Sequence, residues 1–89
     1  MIEQDLKIIN RLGIHARPAA LIAQTAAQFS CEIQLKKDNV TIDAKSIMGV
    51  MMLAAECGST IHVITKGSDE QQAADALKHL FENKFNEEF

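Results

Sequence analysis

Cys31-Glu32-Ile33-Gln34-Leu35-Lys36 alternates apolar and polar residues without a break, and after Lys37-Asp38-Asn39 the alternation resumes as Val40-Thr41-Ile42-Asp43-Ala44. Successive strand side chains point to opposite faces, so this pattern predicts a hairpin with one face on a core and the other in water. A sheet with one wet face takes its helices on the other. That argues for an α+β layered fold and against a parallel sheet covered on both sides.

On the N-terminal side of the hairpin, residues 16–29 place Ala19, Ile22, Ala23, Ala26 and Phe29 at helical spacing, with Gln24 and Gln28 outward. Residues 5–10 read as a first strand, Leu6 and Ile8 inward about Lys7, and residues 10–13 as a turn. On the C-terminal side, Ser46 is placed to cap a second helix reaching about Glu56, with Val50, Leu53, Ala54 and Cys57 as its inner stripe and Gly58 ending it with positive φ. Residues 59–65 form a fourth strand, Ile61 and Val63 on one face, His62 and Ile64 on the other. Ser68-Asp69-Glu70-Gln71 carries a capping-box signature for a last helix with Ala73, Leu77, Leu80 and Phe81 along its buried stripe. That helix is expected to fray after Asn83, leaving Phe85 and Phe89 spaced to fold back on the surface. The order is βαββαβα, without repeats or linkers, and residues 1–89 make a single domain.

Bulk properties exclude several classes of function. Hydrophobic content is 47% with only four aromatic residues, all Phe, so the core is aliphatic and a deep aromatic-lined cofactor cavity is not expected. The net charge of −3 disfavours nucleic acid as a partner. No apolar run approaches the roughly 20 residues of a membrane span, so no membrane partner is expected. Cys31 and Cys57 have no C-x-x-C spacing and follow no signal peptide, which points to reduced, buried thiols in a cytoplasmic protein; neither they nor His62 and His79 have metal-site spacing. No metal and no cofactor are expected.

Chemistry concentrates in Gly13-Ile14-His15-Ala16-Arg17-Pro18-Ala19-Ala20. Proline is tolerated in the first helical turn, where its missing amide hydrogen would have had no partner, so a helix should start near Ala16 with His15 at its N-cap. Unpaired first-turn amides and the helix dipole favour an anion there, and Arg17 adds a planar, permanently charged donor. A neutral imidazole in that place can attack a phosphoryl group, and its adduct would sit among donors. A lone His-x-Arg is more often a cap beside a solvated charge; the whole octapeptide is more specific.

The octapeptide resembles the active-site segment of HPr, the histidine-containing phosphocarrier of the bacterial phosphoenolpyruvate-dependent phosphotransferase system. The resemblance spans nearly the whole chain. It implies that His15 is phosphorylated on Nδ1, that Arg17 steadies the phosphoryl group, and that the backbone amides of Ala16 and Arg17 help hold it. It also implies an open-faced β-sandwich, an antiparallel sheet ordered 1-4-2-3 with three helices on one face. A second segment agrees: Lys45-Ser46-Ile47-Met48-Gly49-Val50-Met51 is similar to the regulatory-serine segment of HPr proteins modified by a dedicated kinase, thirty-one positions after the histidine.

From the residues alone, Ser46 is accounted for as a helix cap; its phosphorylation is what the resemblance implies. The short helix behind it is apolar nearly all round, and Ile47, Met48 and Met51 are expected to form an exposed, adaptable docking patch, with Met52 assigned to the core. By resemblance the partners are enzyme I, IIA-type acceptors and an HPr kinase/phosphorylase. The chain is expected to be a monomeric carrier and not an enzyme in its own right. The alternative is a serine-switched interaction module of HPr-like fold with no relay, against which His15 and Arg17 speak. Leu12 stands where many sugar-system members carry Thr or Asn. With residues 10–13 and the acidic tail it looks like the nitrogen-related branch, whereas the Ser46 segment looks like the sugar branch, so both stay open.

Overall fold

Strand pairing follows the alternation. In the computed structural model, which describes residues 1–88, β1 (Ile2–Lys7), β2 (Glu32–Lys37), β3 (Val40–Asp43) and β4 (Thr60–Lys66) form one antiparallel sheet ordered β1-β4-β2-β3. Register puts Leu6 opposite Ile61, and Leu35 opposite both Val63 and Ile42, so the apolar positions share one face. That face carries α1 (Ala16–Ala27), α2 (Ile47–Met52) and α3 (Glu70–Glu82). Ile22 of α1, Val50 of α2 and Leu77 of α3 are fully buried over it. The opposite face is wet, and there His62 of β4 is clasped by Asp5 at 2.7 Å and Glu3 at 2.8 Å, both from β1.

Several details depart from the sequence expectation, most of them where tertiary contacts outweigh local pattern. The first strand begins at Ile2 and not at residue 5, since Ile2 to Gln4 pair with Thr65 to Val63. Ile8 prolongs that pairing through bonds with Ser59 and Gly58, and the expected turn over residues 10–13 forms, with Asn10 at its start fully buried. α1 stops at Ala27, and Phe29 is only partly buried.

α2 is shorter than expected. It ends at Met52, and the chain leaves it through Ala54 at φ 50°, with Gly58 serving the turn into β4 instead. The early exit brings Ala55 into the core, where its carbonyl accepts the Ile14 amide at 2.9 Å. Ala54 and Cys57 are therefore exposed and do not belong to an inner stripe; of the two thiols only Cys31 is buried. Met52, assigned to the core by its spacing, is 70% exposed.

At the start of α3 the capping-box chemistry is redistributed. Asp69 occupies the N-cap but makes no cap bond. Its carboxylate reaches across to accept the amides of Ser30 at 2.9 Å and Cys31 at 3.0 Å, tying α3 to the entry of β2. Glu70 instead accepts the Gly67 amide at 3.1 Å and pairs with the N-terminal ammonium at 2.9 Å. The Ser30 amide, followed by Cys31, holds the Asp69 carboxyl below its usual value against partial desolvation. Because the folded value is the lower one, this stabilisation is present in full above the unfolded value of about 3.9 and disappears as pH falls through the folded value. In urea titrations the gap between wild type and Asp69→Asn should be widest near neutral pH and close in acid; a gap independent of pH would remove the linkage.

The C-terminal end of the chain is not a frayed surface segment. Beyond Asn83 a tight turn, Lys84–Asn86, drives Phe85 into the core, fully buried and edge-on to Phe81 with ring centroids 4.9 Å apart. Phe89 lies outside the described residues.

Candidate functional site

His15 is the N-cap of α1, in extended conformation, and its carbonyl accepts the Ala19 amide at 3.0 Å. The first-turn amides of Ala16 and Arg17 have no helical carbonyl four residues before them to bond, and Pro18 adds no donor of its own. Gly13 fixes the approach to this turn. It adopts φ +69°, and a Cβ there would stand 2.6 Å from the Ala55 carbonyl oxygen, so only glycine lets the loop lie this close to the segment after α2.

The His15 side chain is 38% exposed, and its Nε2 lies 2.7 Å from Oε2 of Glu87, whose own side chain is only 9% exposed. The other Glu87 oxygen accepts from Nδ2 of Asn10 at 2.8 Å, and the same Nδ2 donates to the Gly13 carbonyl at 2.8 Å. A buried side chain three residues beyond β1 thus joins the loop that carries the histidine to the tail that covers its edge. Burial by itself would raise the Glu87 carboxyl, but hydrogen bonds from Asn10 and His15, with the electrostatic influence of the nearby His15 ring and Arg17 guanidinium, outweigh it and bring the group below its usual value. Arg17 is exposed and lines, with Asn86, Glu87 and Glu88, a cleft of about 360 Å³.

The residues singled out around the histidine, His15, Ala16 and Arg17, therefore meet at one helix start. Ser46 lies at another: it is the exposed N-cap of α2, its Oγ accepting the Gly49 amide at 3.0 Å. Ile47, Met48 and Met51 are exposed beside it, as expected, and Met52 joins them. Sequence reasoning missed Asn10, which looked like a turn residue, and Glu87, which looked like part of an acidic tail. Nothing local in the sequence marks Glu87, whose partners lie 77 and 72 positions away. Among the described residues, no group of three His, Cys, Asp or Glu is placed to share a metal ion, and no helix is long and apolar enough to cross a membrane. What the arrangement can do is present a partly exposed imidazole beside unpaired amides and a guanidinium, which suits a covalently held phosphoryl group.

The family model described as the PTS HPr component phosphorylation site matches residues 2–83. The chain belongs to the HPr family. The phosphocarrier protein HPr of Treponema pallidum is 49% identical over 88 residues, 99% of this chain and 100% of that protein. A crystal structure of HPr from Thermoanaerobacter tengcongensis matches with a TM-score of 0.95 at 47% identity, covering 100% of both chains. A second from the same organism, described as an HPr dimer, matches at 0.79 and 47% identity, covering 98% of this chain and 100% of that one. HPr is a phosphocarrier of the phosphotransferase system, and the open-faced sheet ordered β1-β4-β2-β3 under three helices agrees with the architecture expected of the family. The family match ends at residue 83, before the turn that brings Glu87 to His15.

Proposed function

We propose that this member of the HPr family accepts a phosphoryl group on His15 from phosphorylated enzyme I and passes it to IIA-type proteins. The observation that carries the reading is the half-exposed imidazole at the start of α1, with the Ala16 and Arg17 amides unclaimed by the helix and the Arg17 side chain on the adjoining cleft. The amides and guanidinium stabilise the dianionic group in place, and openness to solvent lets a partner's reacting atom approach. The chain acts as a relay in the cytoplasm, forming its covalent intermediate only with a partner's help, and as a monomer, because one imidazole per chain suffices. Phosphoenolpyruvate with enzyme I should leave an acid-labile phosphate on the chain; an acid-stable label alone would contradict the relay. Comparing transfer rates to IIA-type acceptors of the sugar and nitrogen branches assigns the pathway.

Ser46 is the regulatory site in this reading, phosphorylated by an HPr kinase/phosphorylase. It rests on the exposed serine at the head of a helix whose Ile47, Met48 and Met51 are exposed for docking, with Met52 alongside. A phosphate of about −1.5 to −2 charges at a helix N-terminus is tolerated by the fold, yet inside an apolar contact it adds desolvation and like-charge penalties against an acidic partner. Ser46→Asp should leave the melting temperature within a few degrees of wild type and slow acceptance from enzyme I about tenfold or more. Unchanged transfer kinetics would remove the regulatory role.

A further inference from the structure

The turn that delivers Glu87 is costly by itself. Lys84, Phe85 and Asn86 have φ of 55°, 54° and 64°, three successive left-handed residues of which none is glycine. Such conformations persist only where surrounding contacts hold them. Here Phe85 is locked into the core at one end, and at the other both carboxylate oxygens of Glu87 are engaged, one by Asn10 and one by His15. The orientation of Asn10 is unambiguous: turning its amide over would set its oxygen against the Gly13 carbonyl and the Glu87 carboxylate, two acceptors.

A carboxylate can only accept, so the 2.7 Å contact requires the proton of a neutral His15 ring to be on Nε2, which leaves the lone pair on Nδ1. From this we infer that Glu87 is a positioning residue that fixes the His15 tautomer, making Nδ1 the phosphoryl acceptor and keeping the Nε2 proton in place through the whole relay; the inference rests on the proposed carrier function. In acceptance, the Nδ1 lone pair forms the N–P bond while the bond from phosphorus to the donor protein's imidazole breaks and its electron pair stays with the donor. The ring becomes a cation, stabilised by the Glu87 carboxylate. In onward transfer the N–P bond breaks, its electrons return to Nδ1, and the ring is neutral again with the same proton on Nε2. No proton has to enter or leave the carrier in either direction.

Glu87→Gln is the sharpest variant. Asn10 claims the glutamine oxygen, so the side-chain amide nitrogen faces Nε2, which must then accept, and the ring proton moves to Nδ1. Nitrogen-15 correlation spectra of the unphosphorylated protein read this directly. Wild type should show a protonated Nε2 with a slowly exchanging proton. Glu87→Gln should reverse or average the two ring nitrogens, Glu87→Ala should lose the protected proton, and both should accept phosphate from enzyme I at least tenfold more slowly. A wild-type ring protonated on Nδ1, or a ring pattern unchanged in both variants, overturns the inference. The spectra need no phosphorylation, so they judge Glu87 even if label appears elsewhere than His15. Conversely, His15 labelled at wild-type rate in Glu87→Gln refutes the inference and leaves the carrier reading intact.

Discussion

His15→Ala should abolish the acid-labile phosphate deposited by phosphoenolpyruvate and enzyme I, with transferable label falling at least about a thousandfold, because a nucleophile that forms the covalent intermediate has no partial substitute. The other two histidines are poorly placed to take over. His62 is held between Asp5 and Glu3, which push its pKa up, Glu3 first, and with each ring nitrogen against a carboxylate neither is open to a phosphoryl group. His79 sits in the last turn of α3 with Nε2 hydrogen-bonded to Asn83 at 2.8 Å, at the end of the helix whose dipole repels an anion. The substitution should leave the overall fold in place, since the His15 side chain makes no cap bond and its ring is partly exposed; it frees one Glu87 oxygen while Asn10 still holds the other. Acid-labile label retained by a folded His15→Ala protein would end the assignment. Label on Ser46 would be an acid-stable ester and would not be confused with it.

The legible parts of this molecule were those written in short-range pattern. Alternation over residues 31–44 placed β2 and β3 to within a residue or two, and Pro18 placed the start of α1, because steric rules at a helix N-terminus act within one turn. The segments read wrongly were those whose conformation is decided by distant partners. Residues 53–58 look helical in isolation, but Ala55 is needed in the core and its carbonyl by Ile14, and the helix gives way. Glu3 and Gln4 have no apolar pattern, yet β4 supplies a pairing edge. For the candidate site, His15 and Arg17 were visible because they stand two apart on one helical turn. Asn10 and Glu87, seventy-seven positions apart, could be joined only by the folded chain. Residues near in sequence announce a site, while those that orient it arrive from elsewhere in the fold.

The tail provides the second large effect. Phe85→Ala should destabilise the protein by about 3–5 kcal/mol, the usual consequence of removing a buried aromatic side chain and leaving a cavity. Phe85 is fully buried against Phe81, and its ring is what offsets the left-handed backbone on either side of it. For a domain of this size that loss is a large part of a total stability of roughly 5–15 kcal/mol, and each kcal/mol lowers the melting temperature by about 4–8 °C. Phe85→Leu keeps much of the volume and should cost well under half as much, which separates packing from failure to fold. The two substitutions should also differ at the histidine. In Phe85→Ala the released turn no longer presents Glu87, so exchange protection of the His15 ring proton should collapse, whereas Phe85→Leu should keep most of it. If Phe85→Ala melts within a few degrees of wild type, the tail is not part of the core, and the pairing of Glu87 with His15 loses the anchor that makes it persistent.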